Sequence, residues 1–473
     1  MHKPSCLIIV LILLNCSQSK NDNKNSLPID IDSKKNPLDE DQEQQSNRNS
    51  KGELKAFPGA EGFGAYAKGG RGGKVMFVNN LQDSGPGSFR SCAEAEEPRM
   101  CIFKVAGTIT LNDQIKIKSP YITIAGQTAP GSGISICSAA TYDKGSLKIV
   151  THDVVIRGLR VRTGASDSAT SMRSAIRMEE AAHNIIIDRS SISWATDDNI
   201  TLIDGVRDVS VQNSIISEAL SNSTHSEGEH SKGFAVSGKK YNSDLETGNI
   251  SVHRNLFAHN ADRNLRQASF GVVDFVNNVI YNWGIVATEA NDAQTKVPLN
   301  VVGNYYKAGK STKNSSFEVE IDADNGFGAA VYVAGNIGPH RNEQNLDQKL
   351  VVDADQHQYL IATSHPSSPL TIIDAELAYS RVLEKAGASP RDAVDQRIIN
   401  DVKNGSGEII DDPSEVGGWP DLLGVDNLTD SDQDGMPDVW ETENGLDPKK
   451  DDGSLDADKN GYSNIEDYIN SLL

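Results

Sequence analysis

The feature that most constrains the fold is a repeat of short, β-branched strands through the middle of the chain. In each unit an apolar residue is followed three places later by a small or amide residue, and two places after that by another apolar residue. The small or amide positions are Ser190, Ser214, Asn255, Asn278, Asn304 and Asn336. Alternating apolar and polar residues indicate strands with one buried face. Units of about two dozen residues predict an all-β fold, a right-handed parallel β-helix.

The connections between these strands argue against a sandwich. Sandwiches need regular hairpin turns, and Asn-Gly or Asp-Gly pairs are almost absent between the strands. An amide at the same corner of successive turns predicts a ladder of hydrogen bonds along the solenoid. We expect the ends to be capped by the segment before Ile122 and by a helix over 375–385.

One step of the repeat is longer than the rest. The 41-residue step between Ser214 and Asn255 holds a polar loop with His225 and His230. Long loops on a rigid solenoid commonly carry functional residues. The segment from His225 to Lys232 has donors for zinc, but its spacing matches no helical zinc motif, which disfavours zinc.

Charge is unevenly distributed along the chain. The sequence has 66 acidic and 45 basic residues, a net charge of −21. Residues 421–473 alone carry 15 acids and 3 bases. Nucleic acid is not an expected partner, because a phosphate backbone attracts basic surfaces. An acidic polymer is compatible with the composition if a groove is locally positive.

The amino terminus predicts export. Lys3 precedes an apolar run over 7–14, which is typical of a secretory signal and too short to span a bilayer. Residues 1–16 end in Leu-Leu-Asn-Cys, which resembles a bacterial lipobox with Cys16 as the lipidation site; simple cleavage near 17–19 is the alternative. Residues 17–55 are polar and predict a disordered tether. We expect a secreted or cell-surface lipoprotein whose only membrane contact is this anchor.

Cysteine usage fits an exported chain. Cys92 and Cys101 are the expected disulfide pair, closing a short surface loop. Cys137 lies in an apolar strand, and we expect it to be buried and free.

Two further clusters lie near the repeat. Asp197 and Asp198 follow a strand, and such carboxylates can hold a hard cation, although a solvated turn is the alternative. Arg263 and Arg266 open a later unit and could clamp carboxylates in bidentate fashion. Because these residues and Lys232 fall on three consecutive units, we expect them to converge on one lateral groove suited to a polymeric acid.

Several motifs resemble pectate lyases of polysaccharide lyase family 1. They are FPGAEGFG at 57–64, GGRGGKV at 69–75, NLQDSGPGSFR at 80–90, IIIDR at 185–189, SISWATDD at 191–198 and NLFAHNADRNLR at 255–266. The resemblance runs from about residue 57 to 420. It implies calcium-assisted β-elimination on polygalacturonate, in which a base removes the C5 proton, the C4–O bond breaks and an unsaturated product forms.

The resemblance also implies roles for single residues. By position Arg263 is the catalytic base, Lys232 and Arg266 bind substrate, and Asp197 binds calcium. An arginine base needs a packed, cationic environment, because guanidinium is normally protonated.

Some positions depart from the family pattern. Ser174 and Thr201 stand where further calcium aspartates are expected, and Arg189 and Leu265 also differ. Asp198, Glu179, Glu180 and Asp167 are candidate substitute ligands, and we count Asp198 with Asp197. The calcium set is incomplete by direct carry-over.

The acidic tail predicts two calcium loops. Residues 430–441 follow the EF-hand spacing with Gly435 at the turn and donors Asp430, Asp432, Asp434, Asp438 and Glu441. Residues 456–467 repeat it with donors Asp456, Asp458, Asn460, Asn464 and Asp467. The loops resemble dockerin or thrombospondin type 3 repeats, and we expect Ca²⁺ to order them. A disordered acidic end is the alternative.

These observations divide the chain into signal 1–16, tether 17–55, β-helix lyase domain 56–420 and calcium-binding tail 421–473. We expect a monomeric pectate lyase acting on polygalacturonate or pectin. A glycoside hydrolase is an alternative that needs paired carboxylates, for which Asp197 and Asp198 are the candidates. A non-catalytic polysaccharide-binding β-helix is another.

Overall fold

Three parallel sheets wind into a β-helix in the computed structural model, which describes residues 47, 49, 52–238 and 245–473. The predicted signal, Cys16 and nearly all of the tether lie outside the described residues. None of the described helices combines the length and apolar character needed to cross a bilayer.

Each strand pairs in parallel with the equivalent strand of the next turn. The ten-stranded long sheet comprises Lys74–Val78, Arg99–Phe103, Ile122–Ala125, His152–Arg157, His183–Asp188, Arg207–Gln212, Gly248–His253, Val273–Val276, Val297–Val302 and Ala329–Ala334. The groove sheet comprises Ile115–Ile117, Leu147–Ile149, Ile176–Met178, Asp198–Leu202, Lys232–Ser237, Leu265–Ala268, Thr288–Asn291 and Val319–Asp322. The back sheet comprises Gly107–Leu111, Ile134–Ser138, Arg160–Arg162, Ser191–Ser193, Ile215–Ser217, Leu256–Ala258, Val279–Tyr281 and Tyr305–Lys307.

The core is a stack of aligned apolar side chains. Along the long sheet Ile124, Ile156, Ile187, Val211 and Val252 lie in register on successive turns, and each is fully buried. Burying a side chain of this size contributes about 1.5–3 kcal/mol. The predicted solenoid is therefore confirmed. The sequence repeats with this period because each turn places an apolar residue on top of the one in the turn before.

The predicted amide ladder is also confirmed. The backbone N–H of Ser214 donates to Asn255 Oδ1 at 2.9 Å, that of Asn255 to Asn278 at 3.0 Å and that of Asn278 to Asn304 at 2.8 Å. Asn336 accepts from Asn304 in the same way. These groups are buried, so each bond satisfies a polar atom that water cannot reach.

The two predicted caps have different outcomes. Helix α1 (Phe89–Ala93) lies against the first strands of the long and groove sheets and buries Phe89 and Ala93 in the core, so the segment before Ile122 covers that end as predicted. Helices α2 (Ala375–Lys385) and α3 (Ala393–Asn404) cover the side of the back sheet, where Val382 and Ile398 pack against Ile215. The apolar face of α2 matches the outward apolar side chains of that sheet, and the last turn is followed instead by short 3-10 helices at Gln348–Val351 and Ala354–Tyr359.

Both cysteine predictions are confirmed. A disulfide joins Cys92 in α1 to Cys101 in the long sheet. Cys137 is buried and free.

The glycine-rich segment after residue 56 lies on the outer face of the long sheet. Its Gly64 N–H donates to Ser210 Oγ at 2.9 Å. A Cβ at Gly64 would stand 2.1 Å from the Ile185 carbonyl oxygen, so only glycine allows this close approach.

The tail packs on the first turns of the long sheet. It carries helices α4 (Asp438–Glu443) and α5 (Asn464–Ser471), and Met436 and Ile465 pack against Met100 and Ile102. The Arg71–Glu466 ion pair at 2.9 Å fixes α5 to the body of the protein. The tail is therefore part of the folded protein.

Candidate active site

The structure brings the predicted groove residues together on the middle strands of the groove sheet. Asp198 lies opposite Lys232 in the neighbouring strand, and Lys232 bridges to Asp262 on the next turn. Arg263 follows directly, and Arg266 lies one strand from Ala235. Three consecutive turns thus bring together two carboxylates and three cations: Asp198, Asp262, Lys232, Arg263 and Arg266.

A second amide network positions the turn before Arg263. Asn260 accepts from Asn199 at 3.3 Å and donates to Asn264 at 3.1 Å. Arg263 itself has a φ of 48°, a left-handed conformation that its buried neighbours impose. The sequence-based reasoning missed these amides, although their recurrence near the Asp and Arg motifs was the available signal.

Arg263 is paired with a carboxylate. Its Nη1 lies 3.2 Å from Asp198 Oδ1. Burial disfavours the charged guanidinium, but Asp198 and Asp262 outweigh burial and raise the pKa of Arg263 above its ordinary value. Its surroundings are thus more acidic than a catalytic arginine base requires, which corrects the expectation of a cationic environment.

The two predicted substrate-binding cations differ in their partners. Burial and the neighbouring Arg263 lower the pKa of Lys232. Arg266 Nε lies 3.3 Å from Glu289 Oε2, a partner that the sequence did not reveal. Burial raises the pKa of Glu289, although Arg266 opposes that shift.

Asp197 is held by hydroxyls and faces two histidines. Ser174 Oγ donates to Asp197 Oδ2 at 2.9 Å and lies 3.0 Å from Thr201 Oγ1. The Nε2 atoms of His230 and His225 lie 3.5 and 3.9 Å from Asp197 Oδ1. Burial opposes ionisation of Asp197, but His230 and Ser174 outweigh it and lower its pKa.

These donors fit calcium poorly. Calcium takes six to eight oxygen ligands. The residues around Asp197 offer one carboxylate, two hydroxyls already bonded to each other and two imidazole nitrogens, while Asp198 is paired with Arg263. Calcium at Asp197 and Asp198 therefore stays a prediction.

The outward side chains of the groove sheet form one row along the solenoid. In register from turn to turn the row is Lys116, Lys148, Arg177, Thr201, Ala235, Arg266, Glu289 and Glu320. Neighbouring members are about 4.8 Å apart, the spacing of strands in a sheet. The row is basic at its first end and acidic at its last, so the groove has a charge direction.

Comparison with known proteins identifies the family. The chain is 36% identical over 438 residues to a probable pectate lyase C of Aspergillus terreus, covering 90% of this chain and 96% of that protein. It is also 36% identical over 430 residues to a probable pectate lyase C of Aspergillus flavus, covering 89% and 94%. The chain belongs to the pectate lyase family. No protein-family model matches it.

Matches among solved structures are more distant in sequence. The crystal structure of Jun a 1, the major cedar pollen allergen, is 18% identical with a TM-score of 0.49, over 70% of this chain and 92% of that one. A pectate lyase bound to a hexasaccharide is 14% identical with a TM-score of 0.48, over 73% and 100%.

The first tail loop of this pectate lyase family member gathers carboxylates with unpartnered oxygens. Among the described residues, buried oxygens of Asp430, Asp432, Asp434 and Glu441 have no hydrogen-bond partner. Asp452, which the sequence reasoning missed, brings an oxygen within 4.8 Å of those of Asp434 and Glu441. Burial and neighbouring acids raise the pKa of Asp434 to about 6 and of Glu441 to about 7. Clustered, unpartnered carboxylate oxygens fit Ca²⁺.

Two of the predicted tail ligands have another role. The Oδ1 atoms of Asp438 and Asn464 accept from the backbone N–H of Ser431 at 2.8 Å and of Ala457 at 3.0 Å. Asp438 and Asn464 are the first residues of helices α4 and α5. From there each side chain bonds back to the start of its own loop. The structure therefore places these two outside the clustered oxygens.

The second loop is bridged by an amide. Asn460 Nδ2 donates to Asp458 at 2.9 Å and to Asp467 at 3.0 Å, while Asp456 accepts from the Gly461 N–H at 3.0 Å. Burial raises the pKa of Asp467 to about 6. Three carboxylates thus lie around one turn, and Ca²⁺ binding at this loop stays a prediction.

Proposed function

We propose that this protein is a pectate lyase of polysaccharide lyase family 1 that cleaves polygalacturonate by β-elimination. The observation that carries the proposal is the juxtaposition of Lys232, Arg263 and Arg266 in one groove, within the segments that resemble the family. Similarity to the Aspergillus proteins over nearly their full length supports the same reaction. A polymeric acid suits a groove with this cationic centre.

The groove residues have distinct tasks in this reaction. Arg263 takes the C5 proton, the C–H electrons form the C4=C5 double bond, the C4–O bond breaks, and the leaving oxygen takes a proton from water. Lys232 and Arg266 stabilise the charge that develops on the uronate carboxylate. Arg263 must first leave Asp198 and lose a proton. Lys232 favours that loss, because a neighbouring positive charge lowers the pKa of a cation.

We also propose that the tail binds calcium. When bound, Ca²⁺ would neutralise the clustered acids and keep the tail packed on the solenoid. The loops resemble dockerin or thrombospondin type 3 repeats in their spacing. The residues that would hold an ion at the first loop are Asp430, Asp432, Asp434 and Glu441, together with Asp452 from the segment between the loops. Asp456, Asp458 and Asp467 would hold one at the second.

Export is a further part of the proposal. We infer a monomeric bacterial surface lipoprotein anchored at Cys16, and the Cys92–Cys101 disulfide supports an oxidising compartment. Cys16→Ala should release the protein from the membrane fraction without changing its activity. Retention of this variant in the membrane would contradict the anchor, and a dimer in size-exclusion chromatography would contradict the monomer.

The activity test uses polygalacturonate and near-ultraviolet absorbance, which reports the unsaturated product. We expect absorbance to rise with the purified protein and to be lost in Arg263→Ala. New reducing ends without absorbance would instead indicate a glycoside hydrolase. Binding of the polymer without any product would indicate a non-catalytic β-helix.

A further inference from the structure

The loop over 221–231 contributes a pair of histidines to the groove. The imidazole rings of His225 and His230 stack with centroids 3.5 Å apart and an interplanar angle of 20°. Both side chains are almost fully buried, and both direct Nε2 toward Asp197 Oδ1. One atom from each of the three residues lies within 4.8 Å of the others.

One nitrogen of this cluster lacks a partner. His230 Nε2 is buried and makes no hydrogen bond to any described residue. Its 3.5 Å distance from Asp197 Oδ1 is longer than a good hydrogen bond. Asp197 Oδ2 is occupied by Ser174, which leaves Oδ1 free toward the imidazoles. A buried, unpaired polar atom is unfavourable unless something binds it.

We propose that Asp197, His225 and His230 bind one first-row transition-metal dication, such as Zn²⁺, Mn²⁺ or Co²⁺, in the substrate groove. Imidazole nitrogens suit these ions and not Ca²⁺. Two imidazoles and one carboxylate leave coordination positions open for oxygens of a substrate. The replacement of two expected aspartates by Ser174 and Thr201 is consistent with this change of donor class.

Metal binding requires one local rearrangement. His225 Nδ1 accepts from the Glu227 N–H at 3.2 Å. An imidazole that ligates through Nε2 carries its proton on Nδ1, so this bond must open. Glu227 is exposed, so water can hydrogen-bond to its N–H once this bond opens.

The position of the ion suits a role in substrate binding. It would stand beside Asp198 and Arg263 and would attract the uronate carboxylate toward Lys232. That role rests on the proposed function, whereas the binding itself does not.

Cobalt is a suitable probe, because four- and five-coordinate Co²⁺ absorbs visible light more strongly than the octahedral ion. The untagged, metal-stripped protein is titrated with Co²⁺ while excess Ca²⁺ saturates the tail. We expect one equivalent to bind with a strong visible band. His230→Gln and Asp197→Asn should each weaken binding by at least about tenfold. The matched control is His357→Gln, which removes a histidine outside the groove.

Circular dichroism first establishes that each variant is folded; if His230→Gln is not, His225→Gln replaces it. Absence of the band, or equal affinity in the folded variants, would overturn the proposal. Lyase activity is measured separately. Cobalt binding without lyase activity would contradict the proposed function and support the metal site. Lyase activity without the visible band would support the proposed function and contradict the metal site.

Discussion

At the scale of single residues, the ion pair between Arg263 and Asp198 must break before catalysis. The structure holds the guanidinium protonated at 3.2 Å from a buried carboxylate. The substrate must therefore displace Asp198 before Arg263 can accept a proton.

Arg263→Ala should lower kcat/KM on polygalacturonate by about 10²–10⁴-fold, the usual contribution of a general base. Since Lys232 and Arg266 still bind the polymer, KM should change little. Arg254→Ala is the control, because Arg254 has the same 21% side-chain exposure and pairs with Glu61 away from the groove. An equal loss in both variants would show that Arg263 acts through stability.

His253 should make the fold sensitive to acid. Burial and the neighbouring Arg254 hold its pKa well below the ordinary value. A base with a lowered pKa in the folded state removes stability as pH falls below about 6.5, by up to about 1.4 kcal/mol per pH unit. Measured with saturating Ca²⁺, which weakens the opposing effect of the acidic tail, His253→Gln should reduce the fall in Tm between pH 7 and 5; the variant copies Gln212 in the preceding turn. If the fall in Tm is the same in His253→Gln, other titrating groups cause the acid sensitivity.

At the scale of elements, the groove sheet shows what the sequence could and could not reveal. The strand register was predictable, because every turn repeats the pattern beneath it and the amide ladder marks the corner. The partner Glu289 was not, because its strand Thr288–Asn291 carries none of the recognised motifs. Asp452 was not, because it lies between the two calcium loops and outside their spacing. The lateral position of α2 also depends on which apolar side chains the back sheet leaves outward.

The charge direction of the groove predicts opposite effects at its two ends. Lys116→Ala should raise KM for polygalacturonate, since it removes a cation from the basic end of the row. Glu320→Gln should lower KM, since it removes a like charge at the other end. Lys349→Ala, outside the row, is the control. Both shifts should shrink at high salt, and shifts of the same sign would contradict this binding direction.

At the scale of the whole molecule, the tail joins calcium to the stability of the solenoid. Without calcium, the raised pKa values of Asp434 and Glu441 mean that their ionisation opposes folding as pH rises through about 6 to 7. The metal-free Tm should therefore increase when pH falls from 8 to 6. With Ca²⁺ this dependence should be weaker, because the ion stabilises the ionised form.

Differential scanning calorimetry of the full protein with EDTA and with Ca²⁺ measures both effects. Glu441→Gln should raise the metal-free Tm and reduce the gain from Ca²⁺. Lys449→Ala, in the same tail, is the control. A calcium-induced gain that Glu441→Gln leaves unchanged would place the ion elsewhere.

The docking of α5 on the first turns has a consequence for the order of folding. A solenoid whose turns contact only their neighbours can form from its first turn as the chain is synthesised. Here Gln127 in an early turn donates to the Ile469 carbonyl, and Met100 and Ile102 are covered by Met436 and Ile465, which are synthesised much later. The earliest turns therefore expose this apolar surface until residues 436–469 have been synthesised and have packed onto it.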